Sequence, residues 1–300
     1  MPRFVDYLKN IFFILVLLQV APSLIKNLKK QYSNVLEAKT KVGVITIKDA
    51  LYNSDDYVSD IKDYFKDKSI KALVLKINCP GGAAGTSQAI FNEIKHWQGV
   101  NNKYVIAFVE NLAASGGYYV ASAANYIIST PGAFIGSIGS YIAHPMFKDF
   151  IEQFKVKYEV IKSGDYKTVG NPFLETTDAQ RQMLQGLSDN VYKQFVHDVA
   201  IQRPKLSGNV KEWADGRIFT GQQALQIGLV DELGSQSTVI TALKEKVGIT
   251  TEIEWVKPKK RGNFIQTLLS NDDDSDSKFQ TSIMSKVYNL FHKYFMYLNY

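Results

Sequence analysis

The chain has 300 residues, 45% of them apolar and 21% charged, with a net charge of +6. That length supports one large domain or two small ones around a sizeable core, and the composition excludes a disordered chain. The positive balance is dispersed through alternating lysines and acids, which reads as a solvated surface rather than a nucleic-acid face, and the single cysteine, Cys79, excludes an internal disulfide.

The first thirty residues stand apart. "IFFILVLLQVAPSLI" is followed by the basic "KNLKK", and from Ile11 to Val20 only Gln19 is polar. Phe4 to Ile25 is about the length that crosses a bilayer, roughly 20 residues, with Asp6, Lys9 and Gln19 interrupting it. Three readings are open: an uncleaved signal-anchor, a signal peptide with "APS" as a poor cleavage site, or an N-terminal helix of the globular domain. The flanking lysines and the missing amphipathic period favour a single-pass signal-anchor over 1–30. Arg3 and Lys9 precede the run while Lys26, Lys29 and Lys30 follow it. By the positive-inside rule alone, the larger domain is then allowed on the cytoplasmic side.

After a charged connector over 31–41, strand-like and helix-like segments alternate. "VGVITI" (42–47) reads as a strand, "YVSDIKDYFKD" as a helix, "ALVLKI" (72–77) as a second strand ending in "NCPGG". "SQAIFNEIKHW" returns to helical spacing with Ser87 as its expected N-cap. "YVIAFV" is a third strand, followed by "NLAASGGYY" and the helix "GGYYVASAAN"; "YIIST" is a fourth, and "PGAFIGSIGS" a glycine-rich turn. "KYEVIK" (157–162) is expected to be a strand. A long helix carries Met183, Leu184, Leu187, Val191, Phe195, Val196 and Val199 on one stripe, opened by Thr177 and Gln180 as a capping box. "TGQQALQIG" is a shorter helix between Thr220 and Gly228. The alternation argues for α/β layering in a domain over 42–256. The remainder, 257–300, reads as a linker ("KPKKRG", "NDDDSDS") and an aromatic-rich tail, suited to a partner subunit, a membrane surface or a plain terminal helix. There is no internal repeat.

The four histidines, His96, His144, His197 and His292, are scattered through segments of different type, with no HExxH spacing and no Cys/His cluster. "NDDDSDS" lacks the Gly and final Glu of a calcium loop, and "PGGAAG" lacks the Lys and Ser/Thr of a phosphate loop. No metal or cofactor is therefore expected. A Ser-His-Asp triad need not be adjacent in sequence, but nothing nominates one.

Ser115 sits where a strand gives way to a helix, between two alanines and two glycines. Small residues there serve close packing in one reading; in the other, Ser115 is a nucleophile cleared for a substrate backbone. Without histidine the recognised base is lysine, whose ordinary pKa of about 10.4 demands partial desolvation. Lys167 differs from the lysines of charge-rich segments in lying beside Tyr166, Val169 and Phe173. Two glycine-rich turns, Gly81–Gly82 and Ser115–Gly116, offer backbone N–H groups for an oxyanion.

"INCPGG", "ENLAASGGYYVASAAN", "GAFIGSIG", "SGDYKTVGNPF" and "ADGRIFTGQQALQIGLVDELG" follow one another in an order that resembles the signal peptide peptidase A (SppA) family, peptidase family S49, in its short single-domain form. The resemblance covers roughly 42–234. It implies Ser115 as nucleophile, Lys167 as general base, Ser137 as the residue orienting that lysine, and the N–H groups of Gly82 and Gly116 as the oxyanion hole. It implies a ClpP/crotonase-like superhelix of repeated ββα units behind an N-terminal transmembrane helix. It also implies ring-shaped homo-oligomers at the cell membrane, an extracytoplasmic peptidase domain, no cofactor, and remnant signal peptides or other hydrophobic segments as substrates. The chain departs from the family at Cys79, where serine is commoner, and in the charges flanking its anchor. Alternatives are a stomatin-linked type of membrane Ser/Lys protease with one protein substrate, an acyl-CoA enzyme on the crotonase fold, and a catalytically silent membrane scaffold.

Overall fold

The structure, a computed structural model, describes residues 21–23, 25–26 and 39–258. The expected signal-anchor lies largely outside these residues and the expected tail almost wholly so. Among the described residues no helix is long and apolar enough to cross a membrane.

Short aliphatic runs with few polar interruptions build the central strands, because a parallel strand covered on both faces needs apolar side chains on each. In chain order the first half contains β1 (Thr40–Lys48), α1 (Asp55–Lys66), β2 (Ile70–Cys79), α2 (Ala84–Asn101), β3 (Tyr104–Ala114), α3 (Gly116–Ser122) and β4 (Tyr126–Ser129). Then come β5 (Phe134–Gly136), α4 (Lys148–Gln153), α5 (Asp178–Gln202), β6 (Ile218–Thr220), α6 (Gly221–Ile227), β7 (Glu232–Leu233), α7 (Gln236–Val247) and β8 (Ile253–Val256).

Among the described residues, all eight strands join one sheet. Its spine runs β6-β5-β3-β2-β1-β8, and only β5 and β6 run antiparallel. The far edge of β3 is shared: Ile106–Val109 pair with β4, and Leu112–Ala114 pair with β5. Alternation along the strands splits the core between two faces. Ile45, Ile47, Leu73, Leu75 and Ile77 pack with side chains of α1, α2, α3 and α5, whereas Val42, Val44, Val74 and Phe108 meet Val239, Ala242 and Leu243 of α7. The result is a mixed α/β fold with a central sheet covered on both faces.

Several local expectations hold. Thr177 and Gln180 form a capping box, as do Thr220 and Gln223, and Gly228 ends α6 in the left-handed conformation. Others change. "KYEVIK" forms no strand: Tyr158 and Ile161 lie exposed and no sheet edge is presented to them. The turn expected at 131–140 contains β5, because β3 runs for 11 residues and outlasts β4, leaving an edge for Phe134–Gly136. Ser87 is not an N-cap; α2 starts earlier, at Ala84, and Ser87 is buried with its hydroxyl donating to the Ala83 carbonyl at 3.1 Å. Along α5 only Phe195 and Val199 of the expected stripe are buried, while Leu187 is 53% exposed. α7 and β8 are additional elements.

Beyond α5, Arg203 makes two 2.8 Å bonds to the Asp231 carboxylate, and Asp231 also accepts from the Ile127 N–H. Burial works against the Arg203 charge, but the Asp231 hydrogen bond together with the charges of Tyr118, Asp231 and Tyr126 outweighs it and raises the guanidinium pKa. This clamp ties the end of α5 to β4 and the segment after α6.

Candidate active site

Strands β1, β2, β3 and β5 are mutually parallel, so their C-terminal ends share one edge of the sheet. In open α/β sheets that edge is where ligands bind. Here it carries Leu51, Gly81–Gly82, Ser115 and Ser137.

The β3–α3 junction is tight. Ser115 has φ 51° and ψ −125°, a conformation rarely adopted by a residue with a side chain and costing about 1–3 kcal/mol. It is held there from both sides: its N–H donates to the Gly136 carbonyl at 2.8 Å, and its carbonyl accepts from Tyr119 at 2.9 Å. The glycines behind it answer to space. A Cβ on Gly117 would lie 2.4 Å from the Cys79 carbonyl oxygen, and one on Gly116 would lie 2.1 Å from Ser87 Oγ. Gly116, Gly117 and Tyr118 are buried, while Ser115 is half-buried. The packing reading of these small residues is thus correct for the glycines, and it leaves Ser115 unexplained.

The turn after β2 lies directly against this junction. A Cβ on Gly81 would meet Ser115 Cβ at 2.7 Å and the Gly116 nitrogen at 2.8 Å. Gly82 is held in a parallel bridge to Leu51: Leu51 N–H donates to the Gly81 carbonyl and Ala83 N–H to the Leu51 carbonyl, both at 2.8 Å. A trans peptide sets N–H opposite C=O. The Gly82 N–H therefore points away from Leu51, towards the β3 side. Gly116 is the first residue of α3, where an N–H has no acceptor within the helix. Two backbone donors thus flank Ser115.

Ser137 arrives through β5. Ala114 pairs with Gly136, so Ser115 and Ser137 are the next residues along adjacent parallel strands, about 5 Å apart by strand spacing. Ser137 has φ 50°, and its N–H donates to the Arg217 carbonyl at 2.9 Å.

Lys167 lies in an exposed turn, with its backbone N–H donating to the Gly164 carbonyl at 3.2 Å. Its ammonium makes no hydrogen bond or ion pair with other described residues. The surrounding segment is fixed by a 2.6 Å bond from Phe147 N–H to the Pro172 carbonyl, by His144 against Thr176 at 3.2 Å, and by the Phe147, Phe173 and Tyr158 rings. It nevertheless exposes Tyr141, Phe150, Phe154, Ile161 and Tyr166. The structure therefore gathers Ser115, Gly116, Gly82 and Ser137, and it does not join Lys167 to them.

Residues 99–250 match the family model described as Peptidase family S49. The chain belongs to peptidase family S49. Its relatives include slr0021 of Synechocystis sp., whose name marks it as a candidate protease, 40% identical over 57% of this chain and 61% of its own length. MJ0651 of Methanocaldococcus jannaschii, a second candidate protease by name, is 30% identical over 72% of this chain and 68% of its own. A candidate signal peptide peptidase SppA of Enterococcus faecium is 32% identical over 68% of this chain and 60% of its own. The chain thus spans about three fifths of the length of two of these relatives. Ser115, Gly116, Ser137 and Lys167 fall within the S49 match, and Gly82 precedes it.

Beside this S49 site Cys79 is fully buried, and burial pushes its thiol pKa up. A thiol kept neutral and out of solvent is a poor nucleophile, which removes Cys79 as a rival to Ser115. Its sulfur instead accepts the Gly81 N–H at 3.3 Å. His96 and His197 are exposed on α2 and α5, and no group of three or more metal-ligating side chains occurs among the described residues. Leu51 was not legible as a site residue, since it acts through backbone bonds that any side chain permits.

Proposed function

We propose that this S49 chain is a membrane-anchored serine endopeptidase in which Ser115 is the nucleophile and Lys167 the general base. The observation that carries the reading is the strained Ser115 between two backbone donors at the sheet's C-terminal edge. Lys167, as the neutral amine, takes the proton from Ser115 Oγ as the oxygen attacks a peptide carbonyl. Negative charge on the carbonyl oxygen is stabilised by the N–H groups of Gly82 and Gly116. The lysine returns its proton to the departing amine, leaving an acyl ester on Ser115. Water attacks that ester and gives a proton to Lys167, which passes it to the departing Ser115 oxygen; the acid product loses its proton to solvent and the amine is neutral again. Ser137, one strand over, hydrogen-bonds the amine and orients it.

In this reading the peptidase domain spans 42–256 on a ClpP/crotonase-like superhelix of ββα units. The 1–30 segment anchors it in the cell membrane with the site on the extracytoplasmic side. Its substrates are hydrophobic peptide segments such as remnant signal peptides, consistent with the name of the Enterococcus relative. The apolar side chains exposed beside Lys167 support assembly into a homo-oligomer, in which a second copy covers them, excludes water and seats the amine against Ser115. The test is cleavage of an unstructured apolar peptide, together with the oligomeric state, for wild type and for Phe150→Asp with Phe154→Asp. The double variant is expected to be monomeric and to lose activity; a fully active monomer would remove the assembly from the reading.

A further inference from the structure

The turn that carries Gly82 is pinned at two successive peptides. Leu51 N–H holds the Gly81 carbonyl at 2.8 Å, which fixes the plane of the Gly81–Gly82 peptide and hence the direction of the Gly82 N–H. Cys79 Sγ holds the Gly81 N–H at 3.3 Å, which fixes the preceding Pro80–Gly81 peptide. Two glycines in succession, at φ +112° and +153°, have little intrinsic preference for this geometry and need external restraint. Cys79 is well placed to give it. It is wholly buried, a Cβ on Gly117 would approach its Cβ to 3.0 Å, and its sulfur meets Gly81, so the side chain is rooted beside the helix that follows Ser115 and reaches the Gly81–Gly82 turn.

We propose that Cys79 is a positioning residue for catalysis: by accepting the Gly81 N–H, its sulfur holds the Gly81–Gly82 turn so that the Gly82 N–H meets the developing oxyanion. The inference rests on the reading of Ser115 as nucleophile and Gly82 as oxyanion donor. The sulfur touches neither substrate nor reacting atoms; it acts through the turn. A serine hydroxyl can accept the same N–H, whereas alanine cannot. Valine fills the site without an acceptor.

The experiment compares the full chain in detergent micelles as wild type, Ser115→Ala, Cys79→Ser, Cys79→Ala and Cys79→Val. It measures kcat and KM on an unstructured apolar peptide, inhibition by the matching peptide aldehyde, and thermal unfolding. The aldehyde adduct carries an oxyanion where the ground-state peptide does not. Cys79→Ala is expected to lower kcat about tenfold or more, less than deletion of a donor outright, with KM nearly unchanged. Aldehyde affinity should fall by a similar factor. Cys79→Ser should restore kcat and aldehyde affinity to within about threefold of wild type. Cys79→Val replaces alanine if alanine does not fold. Unchanged kcat and aldehyde affinity without an acceptor would overturn the inference, as would a Cys79→Ser protein as impaired as Cys79→Ala. A wild type that does not cleave, or a Ser115→Ala protein that cleaves equally well, identifies failure of the peptidase reading itself, and this inference falls with it.

Discussion

Gly117 illustrates how little freedom single residues have around Ser115. Its missing side chain is required by the Cys79 carbonyl oxygen, a backbone atom with no rotamer to yield, 2.4 Å from where a Cβ would stand. Gly117→Ala is therefore expected to cost about 1–3 kcal/mol and to displace α3 from β2, which urea unfolding would register as a lower midpoint. The residue scale is also where reading the sequence went furthest. "AASGG" draws attention to Ser115 as the polar side chain among four small residues, although close packing alone also accounts for such a stretch. The neighbouring Ser137 became meaningful only through a family resemblance, since one strand register, Ala114 against Gly136, brings it beside Ser115. Lys167 stands out in the sequence by its apolar neighbours, and yet Tyr166 beside it is 52% exposed, so the single chain does not supply a dry setting for the amine.

At the scale of elements, the long aliphatic strands and the side-chain-capped helices were legible because their signals are local. Thr177 at the start of α5 accepts the Gln180 N–H at 3.3 Å, and Thr177→Ala should cost about 1 kcal/mol in denaturant unfolding. β5 and β8 were not legible, because three or four residues carry no period and their pairing depends on edges left by distant strands. β8 is tied down by α1: Tyr64 donates its hydroxyl to the Val256 carbonyl at 2.8 Å, and burial pushes its pKa up to about 12. A phenol whose folded pKa is raised stabilises the fold fully below its ordinary pKa of 10. That stability is lost as pH rises from 10 to 12, because the unfolded chain ionises first. Tyr64→Phe should lose about 1 kcal/mol at neutral pH with the hydrogen bond, and should show a shallower fall in melting temperature over that alkaline window. An alkaline slope equal to wild type would contradict the account.

At the scale of the whole molecule, the described residues combine a sheet buried on both faces with one conspicuously apolar exposed segment near Lys167. The buried side is closed by the Arg203–Asp231 clamp, a two-toothed pair with Arg203 only 4% exposed. Removing one partner strands the other in a poorly solvated place. Arg203→Met is thus expected to cost about 3–5 kcal/mol, more than any surface ion pair such as Lys39–Glu252, with chemical unfolding as the check. Nothing in the sequence announced this pair, because its members are 28 residues apart and each looks like ordinary surface charge. The exposed segment bears on function: Tyr141, Phe150 and Ile161 are exposed, and Lys167 lies in the same stretch of chain. That arrangement ties activity to assembly in the proposed mechanism.

The most direct measurement is turnover of an unstructured apolar peptide by the full chain in detergent micelles, comparing wild type with Ser115→Ala and Lys167→Met. The account predicts that wild type cleaves, that each variant loses about a thousandfold or more in kcat while keeping the wild-type melting temperature, and that the double variant is no worse than either single one. A Ser115→Ala protein that cleaves at the wild-type rate would contradict it.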